Sequence, residues 1–354
     1  MPDPSGQPSP RVVVIGCGSI GKRHLRNLLA LGVADVVAYD PREDRREEVR
    51  TTLNVETISD LDEAWKRDRT LALITAPTSL HVPLAQKAAE HGCHLFIEKP
   101  LSDRLEGVEP LLSAVRERHL ISLVGCNMRF HPGLMTIKQL LERGAIGRVV
   151  TARVEAGQYL PDWHPREDYR QGYSARRNLG GGVLMDGVHE IDYVRWLFGE
   201  VTSVACVAGQ LSHLDIDTED TASLLLRFAS GTIGEIHLDY IQRIYSRSCH
   251  LIGDEGTIRW DFTAGETRCY TASTRAWEVF ANPPGWEANQ MYVDEMRHLL
   301  RCLQGEEASA QDAYEGARVL EIALAARTSA DVGRVIECSG EPFLSGAVRS
   351  SKER

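Results

Sequence analysis

The sequence has no long apolar run and no excess of positive charge. None of its apolar segments approaches the roughly 20 residues that a membrane-spanning helix needs. The formal net charge is −10 at pH 7, whereas general affinity for nucleic acid or for an anionic membrane would require concentrated basic charge. We therefore expect neither nucleic acid nor membrane among the partners of this protein.

Paired cysteines are also missing. The eight cysteines are scattered and form no C-x-x-C motif, and the start "MPDPSGQPSP" lacks the charged and apolar regions of a targeting sequence. A reduced, cytoplasmic protein without a metal site is the simplest interpretation. We expect residues 1–10 to be a disordered tail and residues 341–354 to be a second tail.

A glycine-rich motif follows the first apolar segment of the chain. In "RVVVIGCGSIGKRHLRNL" a buried strand, Val12 to Ile15, runs into Gly-x-Gly-x-x-Gly and then into a helical pattern. This is the order of the dinucleotide fingerprint, in which the glycines allow a tight turn, close approach to the pyrophosphate and close helix packing. The phosphates would lie at the positive N-terminus of the helix. The predicted binding residues of this loop are Gly16, Gly18, Ser19, Ile20 and Gly21.

A second predicted strand, "DVVAYD", ends in an acidic residue 19 positions past Gly21. Asp40 at this place would accept hydrogen bonds from the ribose hydroxyls and repel a 2′-phosphate, which favours NAD over NADP. Arg42 lies two residues later, and a guanidinium there could hold a 2′-phosphate, so NADP stays open.

Strands and helices continue to alternate along the first half. "LALIT", "HLFIEKP" and "LISLVGCN" are predicted strands with helices between them, which is typical of a doubly wound parallel sheet. Ligands bind at the carboxyl ends of such strands. Those ends carry "TAPTSLH", "EKP" and "GCNMRFHP", and all three are candidates for the cofactor cleft.

In its dinucleotide fingerprint and in the motifs "TAPTSLH", "EKP" and "GGGVLMDGVHEIDYVRWLFG", the chain resembles the Gfo/Idh/MocA family of NAD(P)-dependent oxidoreductases, from Arg11 to about residue 335. The resemblance implies an N-terminal Rossmann domain with a doubly wound parallel sheet (11–127). It also implies a C-terminal α/β domain with a large, mostly antiparallel sheet (128–340), whose exposed face commonly mediates homodimer or homotetramer contacts. Alternating segments such as "DTASLLLRFASGTIGEIHLDY" agree with this sheet, since they contain hairpin turns.

The resemblance also implies roles for residues at the strand ends. Lys99 of "EKP" corresponds to the family's lysine, which is taken to hydrogen-bond the reacting hydroxyl, and we expect the nicotinamide charge to lower its pKa. Pro100 corresponds to a cis-proline that turns this lysine into the cleft. Arg129 could bind an anionic substrate group or tie the two domains together. The remaining expected cofactor contacts are Thr75, Pro77, Thr78, His81, Glu98 and Asn127.

A histidine in "GGGVLMDGVHEID" is the main acid/base candidate, because transfer of a hydride to or from an alcohol requires movement of one proton. On a helix beginning near Gly182, we expect Asp186 to lie one turn from His189, to orient the imidazole and to raise its pKa. In inositol dehydrogenase-like members of the family the aspartate and histidine are four residues apart, whereas here the spacing is three. We expect Asp192 to be structural and the glycines to leave room for substrate.

The polar and aromatic segment from Gly157 to Gly182 is too long for a plain connection and is predicted to bind substrate. Its aromatic rings suit a sugar ring, and its guanidinium groups suit a carboxylate or phosphate. The predicted substrate is therefore a polyol or sugar, with an anionic group allowed. The substrate-binding candidates are Lys99, Arg129, Trp163, Tyr173, Arg176, Asp186 and His189, and further loop candidates are Tyr159, His164, Tyr169 and Arg177.

These residues predict an NAD(P)-dependent oxidoreductase that acts on a secondary hydroxyl or keto group of a sugar, inositol or sugar derivative. Lys99 and His189 would move the proton, with Asp186 as a third catalytic residue. Two alternatives of the same fold stay open. One is an NAD-dependent glycosidase that acts by transient oxidation and elimination, and the other is a non-catalytic dinucleotide-sensing regulator.

Overall fold

The computed structural model describes residues 9–163, 165 and 167–338. The predicted tails, apart from residues 9 and 10, lie outside these ranges, as does His164. No helix in the described ranges combines the length and the apolar character that crossing a bilayer requires.

The first half of the chain forms a parallel sheet of six strands in the order β3-β2-β1-β4-β5-β6. Its apolar strands are buried on both faces, as expected for a sheet covered by helices on each side. The strands predicted from the sequence are confirmed, and the short strand β3 was not predicted. The strands are β1 (Val12–Ile15), β2 (Val36–Tyr39), β3 (Glu56–Ile58), β4 (Leu71–Ile74), β5 (His94–Glu98) and β6 (Ser122–Gly125). The helices are α1 (Ser19–Ala30), α2 (Glu43–Leu53), α3 (Asp62–Trp65), α4 (His81–Glu90) and α5 (Val108–Glu117).

The second half forms a sheet of nine strands in the order β14-β13-β12-β11-β7-β10-β9-β8-β15. All neighbours in it are antiparallel except β7 and β10, which run parallel. The strands are β7 (Val149–Gly157), β8 (Val201–Gly209), β9 (Thr221–Phe228), β10 (Ile233–Asp239), β11 (Ser246–Gly253), β12 (Gly256–Asp261), β13 (Glu266–Thr271), β14 (Ala276–Ala281) and β15 (Ile336–Glu337). The helices are α6 (Pro132–Glu142), α7 (Val183–Asp186), α8 (Val188–Phe198), α9 (Asn289–Leu303) and α10 (Ala313–Val332).

The large sheet has one covered and one open face. Along β9 the buried residues alternate strictly with exposed ones, as they should where only one face of a strand packs against a core. Helices α8 and α10 cover the buried face. The fold is thus the predicted α/β arrangement of a Rossmann sheet followed by a large, mostly antiparallel sheet.

Helix α9 packs against the Rossmann half although it follows the large sheet in the chain. Its Met296 and Leu299 belong to the same hydrophobic cluster as Leu25 and Leu28 of α1. After the large sheet, the chain therefore returns to pack against the Rossmann half. The domain bounds 11–127 and 128–340 stay predictions.

Candidate active site

The loop between β1 and α1 has the geometry of a phosphate cradle. Gly16 has φ +110°, and a Cβ there would lie 2.6 Å from the Thr75 carbonyl oxygen, so only glycine suits this turn. A Cβ at Gly21 would lie 1.9 Å from the Gly16 oxygen, whereas Gly18 faces open space. Helix α1 begins at Ser19 without a side-chain cap. Its first N–H groups are therefore free to bind an anion.

Asp40 stands at the end of β2 beside this loop. It is buried, its Oδ2 accepts from the backbone N–H of Cys17 at 2.8 Å, and its Oδ1 accepts from that of Arg42 at 2.9 Å. Each carboxylate oxygen keeps a lone pair for a further donor, such as a ribose hydroxyl. The Arg42 side chain is exposed and forms an ion pair with Asp44. Loop and carboxylate together fit an NAD molecule.

The other predicted cofactor contacts cluster at the carboxyl ends of β4, β5 and β6. Thr75 donates its hydroxyl proton to the Gly16 oxygen over 2.7 Å, which ties the end of β4 to the glycine loop. The ring of His81 spans the carbonyl oxygens of Pro100 and Ala76, at 2.8 and 2.9 Å from its two nitrogens. Thr78 and Asn127 are buried in the same region, and Pro77 precedes Thr78.

Lys99 follows strand β5, and the Lys99–Pro100 peptide bond is cis, as the resemblance implied. Its backbone N–H donates to Oε2 of Glu98 over 3.1 Å, and Oε1 of Glu98 lies 2.6 Å from Nε2 of the buried His24. Glu98 is thus occupied by protein groups and supports the turn that carries Lys99.

The ammonium of Lys99 meets a carboxylate from the second half of the chain. Its Nζ lies 3.4 Å from Oδ1 of Asp186. Tyr173 donates its hydroxyl to Oδ1 at 2.5 Å, and Tyr240 donates its own to Oδ2 at 2.6 Å. A lysine, an aspartate and two tyrosines therefore form one connected group, which we call the Lys99 cluster.

The charge of Lys99 is stabilised within this cluster. Burial by itself lowers its pKa, but Tyr173, Asp186 and Glu98 outweigh burial and raise the pKa of Lys99 above its usual value. From the sequence we expected the nicotinamide charge to lower the pKa of Lys99. The protein's own groups act in the opposite direction, because they supply negative charge and hydrogen-bond acceptors around the ammonium.

The expected pairing of Asp186 with His189 is wrong. The predicted helix is interrupted, since α7 ends at Asp186 and α8 begins at Val188 with Gly187 between them. A Cβ at Gly187 would lie 2.4 Å from the Leu238 side chain, so glycine is required at the break. The one-turn geometry of a continuous helix therefore does not apply, and Asp186 binds Lys99 and the two tyrosines instead.

His189 is buried, and its Nδ1 has no hydrogen-bond partner in the described part of the chain. Burial together with the positive charges of Lys99 and Arg247 lowers the pKa of His189 well below its ordinary value. The expectation of a raised pKa is wrong, because Asp186 is bound by Lys99 and two tyrosines, whereas burial and positive charge determine the shift of His189. The imidazole is neutral at physiological pH.

The three glycines of "GGGVLMD" make room for protein atoms. A Cβ at Gly181 would lie 2.0 Å from the Tyr173 carbonyl oxygen, and one at Gly182 would lie 2.2 Å from the Glu219 carboxylate. At Gly180 it would lie 2.9 Å from Thr78. The expectation that these glycines leave space for substrate is therefore wrong, since they allow the long loop to pack closely on the start of α7.

The predicted substrate loop divides into two groups. Tyr173 joins the Lys99 cluster, and the Trp163 ring packs edge-to-face on Tyr240 with centroids 5.4 Å apart. Arg176 instead donates to the Arg170 carbonyl oxygen at 2.6 Å and lies near Asp217 at the surface.

Of the remaining loop candidates, Tyr169 donates no proton to the cluster but accepts from the Asp215 N–H, and Tyr159 stacks under Arg243. Arg177 donates its backbone N–H to Asp217. These contacts hold the loop on its own half of the molecule.

Arg129 forms a buried ion pair. Its Nε and Nη2 donate to the two oxygens of Asp192 at 2.9 and 2.7 Å, and Nη1 donates to the Ala310 carbonyl. The guanidinium is 4% exposed and the carboxylate 0%. These contacts favour the structural alternative for Arg129, and Asp192 is structural as expected.

Two residues near the site escaped the sequence analysis. Tyr240 follows β10, and Arg247 lies on β11 within 2.9 Å of Glu190. Arg247 has the same strand parity as the buried Cys249 and Leu251. A charged residue at an inward-facing strand position was the signal that could have identified it.

Comparison with known proteins places these features in a family. Residues 10–126 match the model of an oxidoreductase family with an NAD-binding Rossmann fold, and residues 134–259 match the GFO/IDH/MocA C-terminal domain. A myo-inositol 2-dehydrogenase of Thermotoga maritima is 28% identical over 92% of this chain and 98% of its own length.

A second relative supports the same family, and a solved structure shares the fold. A myo-inositol dehydrogenase of Streptomyces leeuwenhoekii is 30% identical over 70% of this chain and 75% of its own. The fold is that of levoglucosan dehydrogenase, whose structure was solved with NADH and levoglucosan. The two structures superpose with a TM-score of 0.84 and 22% sequence identity. The match covers 93% of this chain and 98% of the other chain. The chain belongs to the Gfo/Idh/MocA family of NAD-binding oxidoreductases.

Proposed function

We propose that this protein is an NAD-dependent dehydrogenase that acts on a secondary hydroxyl of a polyol or sugar. The observation that carries the proposal is the Lys99 cluster at the carboxyl end of β5, in which a partly buried ammonium pairs with a carboxylate that two tyrosines hold in place. The similarity to inositol and levoglucosan dehydrogenases supports a polyhydroxylated substrate. NAD is favoured over NADP because Asp40 is buried at the end of β2 and Arg42 is occupied by Asp44.

Lys99 and His189 differ in charge, and this difference suggests their roles. The raised pKa of Lys99 keeps it positive, so it stabilises negative charge that develops on the substrate oxygen. The lowered pKa of His189 keeps it neutral, so a ring nitrogen is free to accept the hydroxyl proton. Opposite pKa shifts in neighbouring groups are a common basis for dividing acid and base roles.

Asp186 holds Lys99 in position, and Tyr173 and Tyr240 hold Asp186. Because each oxygen of the Asp186 carboxylate accepts a hydrogen bond from a tyrosine hydroxyl, the carboxylate cannot rotate away from Nζ of Lys99 without breaking a hydrogen bond. When NAD is bound, its nicotinamide ring supplies the hydride acceptor or donor. The chain's own residues bind the substrate oxygen, orient it and move its proton.

Two variants and a control test the assignment. We expect Lys99→Ala and His189→Ala to lower kcat with an active polyol by at least about 100-fold, the usual contribution of a positioned acid/base group. The affinity for NADH, measured by fluorescence titration, should change little. Lys87→Ala is the control, because Lys87 of α4 forms an exposed ion pair with Asp62 of α3.

The outcome that contradicts the proposal is near-normal turnover in both active-site variants. A screen of inositols, sugars and uronic acids with NAD+ and with NADP+ first identifies the substrate by formation of reduced nicotinamide. Cleavage of a glycoside without net reduced nicotinamide would instead support the glycosidase alternative, and dinucleotide binding without any turnover would support the regulator.

We also propose that the open face of the large sheet joins two or more copies of the chain. This face exposes Val207 (77%) and Leu225 (55%), and a groove of about 770 Å³ crosses it. Exposed apolar surface of this kind commonly marks an interface. Light scattering tests the proposal, since Val207→Glu with Leu225→Lys should convert a dimer or tetramer to monomers. A monomeric wild-type protein would contradict it.

The eight cysteines are free thiols, and they support our inference of a reducing, cytoplasmic setting.

A further inference from the structure

A second positive charge, distinct from Lys99, lies against Glu190, the residue that follows His189. Arg247 enters from β11 with its side chain 17% exposed, and its nearest acidic partner, Glu190, is 0% exposed. Nε of Arg247 and Oε1 of Glu190 are 2.9 Å apart. The guanidinium therefore has a counter-charge on its inner side, and only the arginine of this pair is accessible.

The hydrogen-bonding capacity of this guanidinium is poorly used. Arg247 Nε and Glu190 Oε1 have no hydrogen-bond partner of good geometry within the described ranges. Nη2 donates to Oε2 of Glu190 over a long 3.5 Å, and Nη1 donates to the Met128 sulfur at 3.4 Å. A guanidinium has five N–H donors, and a buried charge without good acceptors is unfavourable. Tyr245 is a further hydrogen-bond neighbour of the guanidinium, and Nε faces Glu190. An oxygen-rich ligand would supply acceptors for the N–H groups that remain on Nη1 and Nη2.

The surroundings of Arg247 are those of the candidate active site. Its charge lowers the pKa of His189, as that of Lys99 does. Tyr292 is close enough to influence both Arg247 and Lys99, and Arg23 of α1 stacks over the Tyr292 ring at 4.4 Å. Arg247 thus shares one polar neighbourhood with the proposed acid/base residue and with the lysine.

The arginines of the substrate loop are less suited to bind an anion. The side chains of Arg176 and Arg177 are 39% and 58% exposed. Arg176 lies beside the Asp217 carboxylate, and Arg177 lies beside that of Glu219. Arg129 is fully occupied by Asp192. Of the arginines considered for the substrate, Arg247 alone combines burial, nearness to His189 and unused donors.

We propose that Arg247 binds a carboxylate group of the substrate, which makes the preferred substrate a polyhydroxylated acid such as a uronic or aldonic acid. The planar guanidinium fork matches the two oxygens of a carboxylate. A phosphate would present a bulkier tetrahedral group to a side chain that is only 17% exposed. This inference rests on the proposed dehydrogenase function and specifies the substrate class of the same site.

Matched pairs of compounds test the inference. Initial rates with NAD+ are compared for D-glucuronate and D-glucose, for D-galacturonate and D-galactose, and for D-glucose 6-phosphate. Binding of the same compounds to the enzyme–NADH complex is measured by calorimetry, so that the result does not depend on turnover. We expect the wild-type protein to prefer, or to bind more tightly, the carboxylate member of at least one pair.

The variants are chosen so that no buried charge is left alone. Arg247→Gln with Glu190→Gln removes both charges and keeps the side-chain sizes, and Arg247→Lys keeps the charge but loses the fork. For the double variant the preference for acid over neutral compound should fall at least about 30-fold, as expected for loss of charge-assisted hydrogen bonds. In Arg247→Lys this preference should fall by a smaller factor, because the charge remains. Arg116→Gln, an exposed arginine on α5, is the control.

The outcomes separate this inference from the proposed function. An unchanged acid-over-neutral preference in the folded double variant, or a wild-type preference for neutral compounds in every pair, would overturn the inference and leave the dehydrogenase proposal in place. Preference for the phosphate would also overturn it. If carboxylates bind through Arg247 but no compound is turned over, the inference stands and the dehydrogenase proposal fails. Thermal unfolding of each variant confirms that it is folded.

Discussion

The cofactor loop and the segment from Gly180 to Asp192 are both glycine-rich turns before a helix, and they are built by different means. In the cofactor loop the three glycines lie within six residues, and the loop shape follows from backbone conformation. In the second segment the shape depends on distant side chains. Asp186 binds Tyr173, Tyr240 and Lys99, which are 13, 54 and 87 residues away in the chain.

The comparison shows why two similar motifs differ in how well they predict a site. A phosphate cradle needs backbone N–H groups, which every residue except proline provides, and so a local pattern of glycines describes it. An acid/base site needs particular side chains at particular distances, and the chain must fold before they meet.

The largest expected effect on activity comes from the charge that joins the two halves. Asp186→Asn keeps the size of the side chain but removes the negative charge beside Lys99, and we expect kcat/KM to fall about 100- to 10,000-fold. The NADH dissociation constant should stay close to the wild-type value, as fluorescence titration would show. Asp217→Asn, in the exposed loop, is the control. Unchanged activity in Asp186→Asn would mean that the Lys99 cluster is only structural.

The largest expected effect on stability comes from Arg129. This residue lies between β6 and α6 and binds Asp192 of α8. Arg129→Met leaves the fully buried Asp192 without its partner, and the free energy of unfolding should fall by about 3–5 kcal/mol. The double variant Arg129→Met with Asp192→Leu should recover much of this loss. Urea unfolding measures both. Loss of activity in a fully stable Arg129→Met protein would indicate instead that Arg129 binds substrate.

A smaller effect is expected in the cofactor loop. Gly16→Ala would require a side chain at φ +110° and a Cβ 2.6 Å from the Thr75 oxygen, and strain of about 1–3 kcal/mol at this turn should weaken NADH binding about 10- to 100-fold. Gly199→Ala, with φ +88° and nothing within 4 Å, is the control. It should lower the melting temperature and leave NADH affinity unchanged. Equal losses of affinity in both variants would contradict a specific role for the loop.

The smallest expected change is in the pH dependence. His189 is the base in its neutral form, and its pKa lies below the ordinary 6.5, so kcat/KM with a neutral polyol should stay level from pH 8 down through 6.5 and fall only at lower pH. An acid limb centred at or above pH 6.5 in the wild type would contradict the role of His189.

Much of the fold followed from patterns in the sequence. Continuous apolar runs identified β1, β2, β4, β5 and β6, because strands covered on both faces are apolar throughout. The three-residue strand β3, with the sequence "ETI" and one fully buried residue, has too little apolar character to be recognised. The break at Gly187 was missed for another reason. The need for glycine at this position comes from close contact with Leu238, 51 residues later.

The sequence by itself determined the family, the parallel sheet, the cofactor loop and the identity of the candidate residues Lys99, Asp186 and His189. These features depend on local periodicity and on residue types at short spacing. Only the tertiary structure decided which of the polar residues meet. In it Asp186 pairs with Lys99 rather than with His189, and Arg129 forms a buried ion pair with Asp192. Tyr240 and Arg247 come to the site from distant parts of the chain. Such contacts depend on how strands and helices pack in three dimensions, and spacing along the chain carries little information about them.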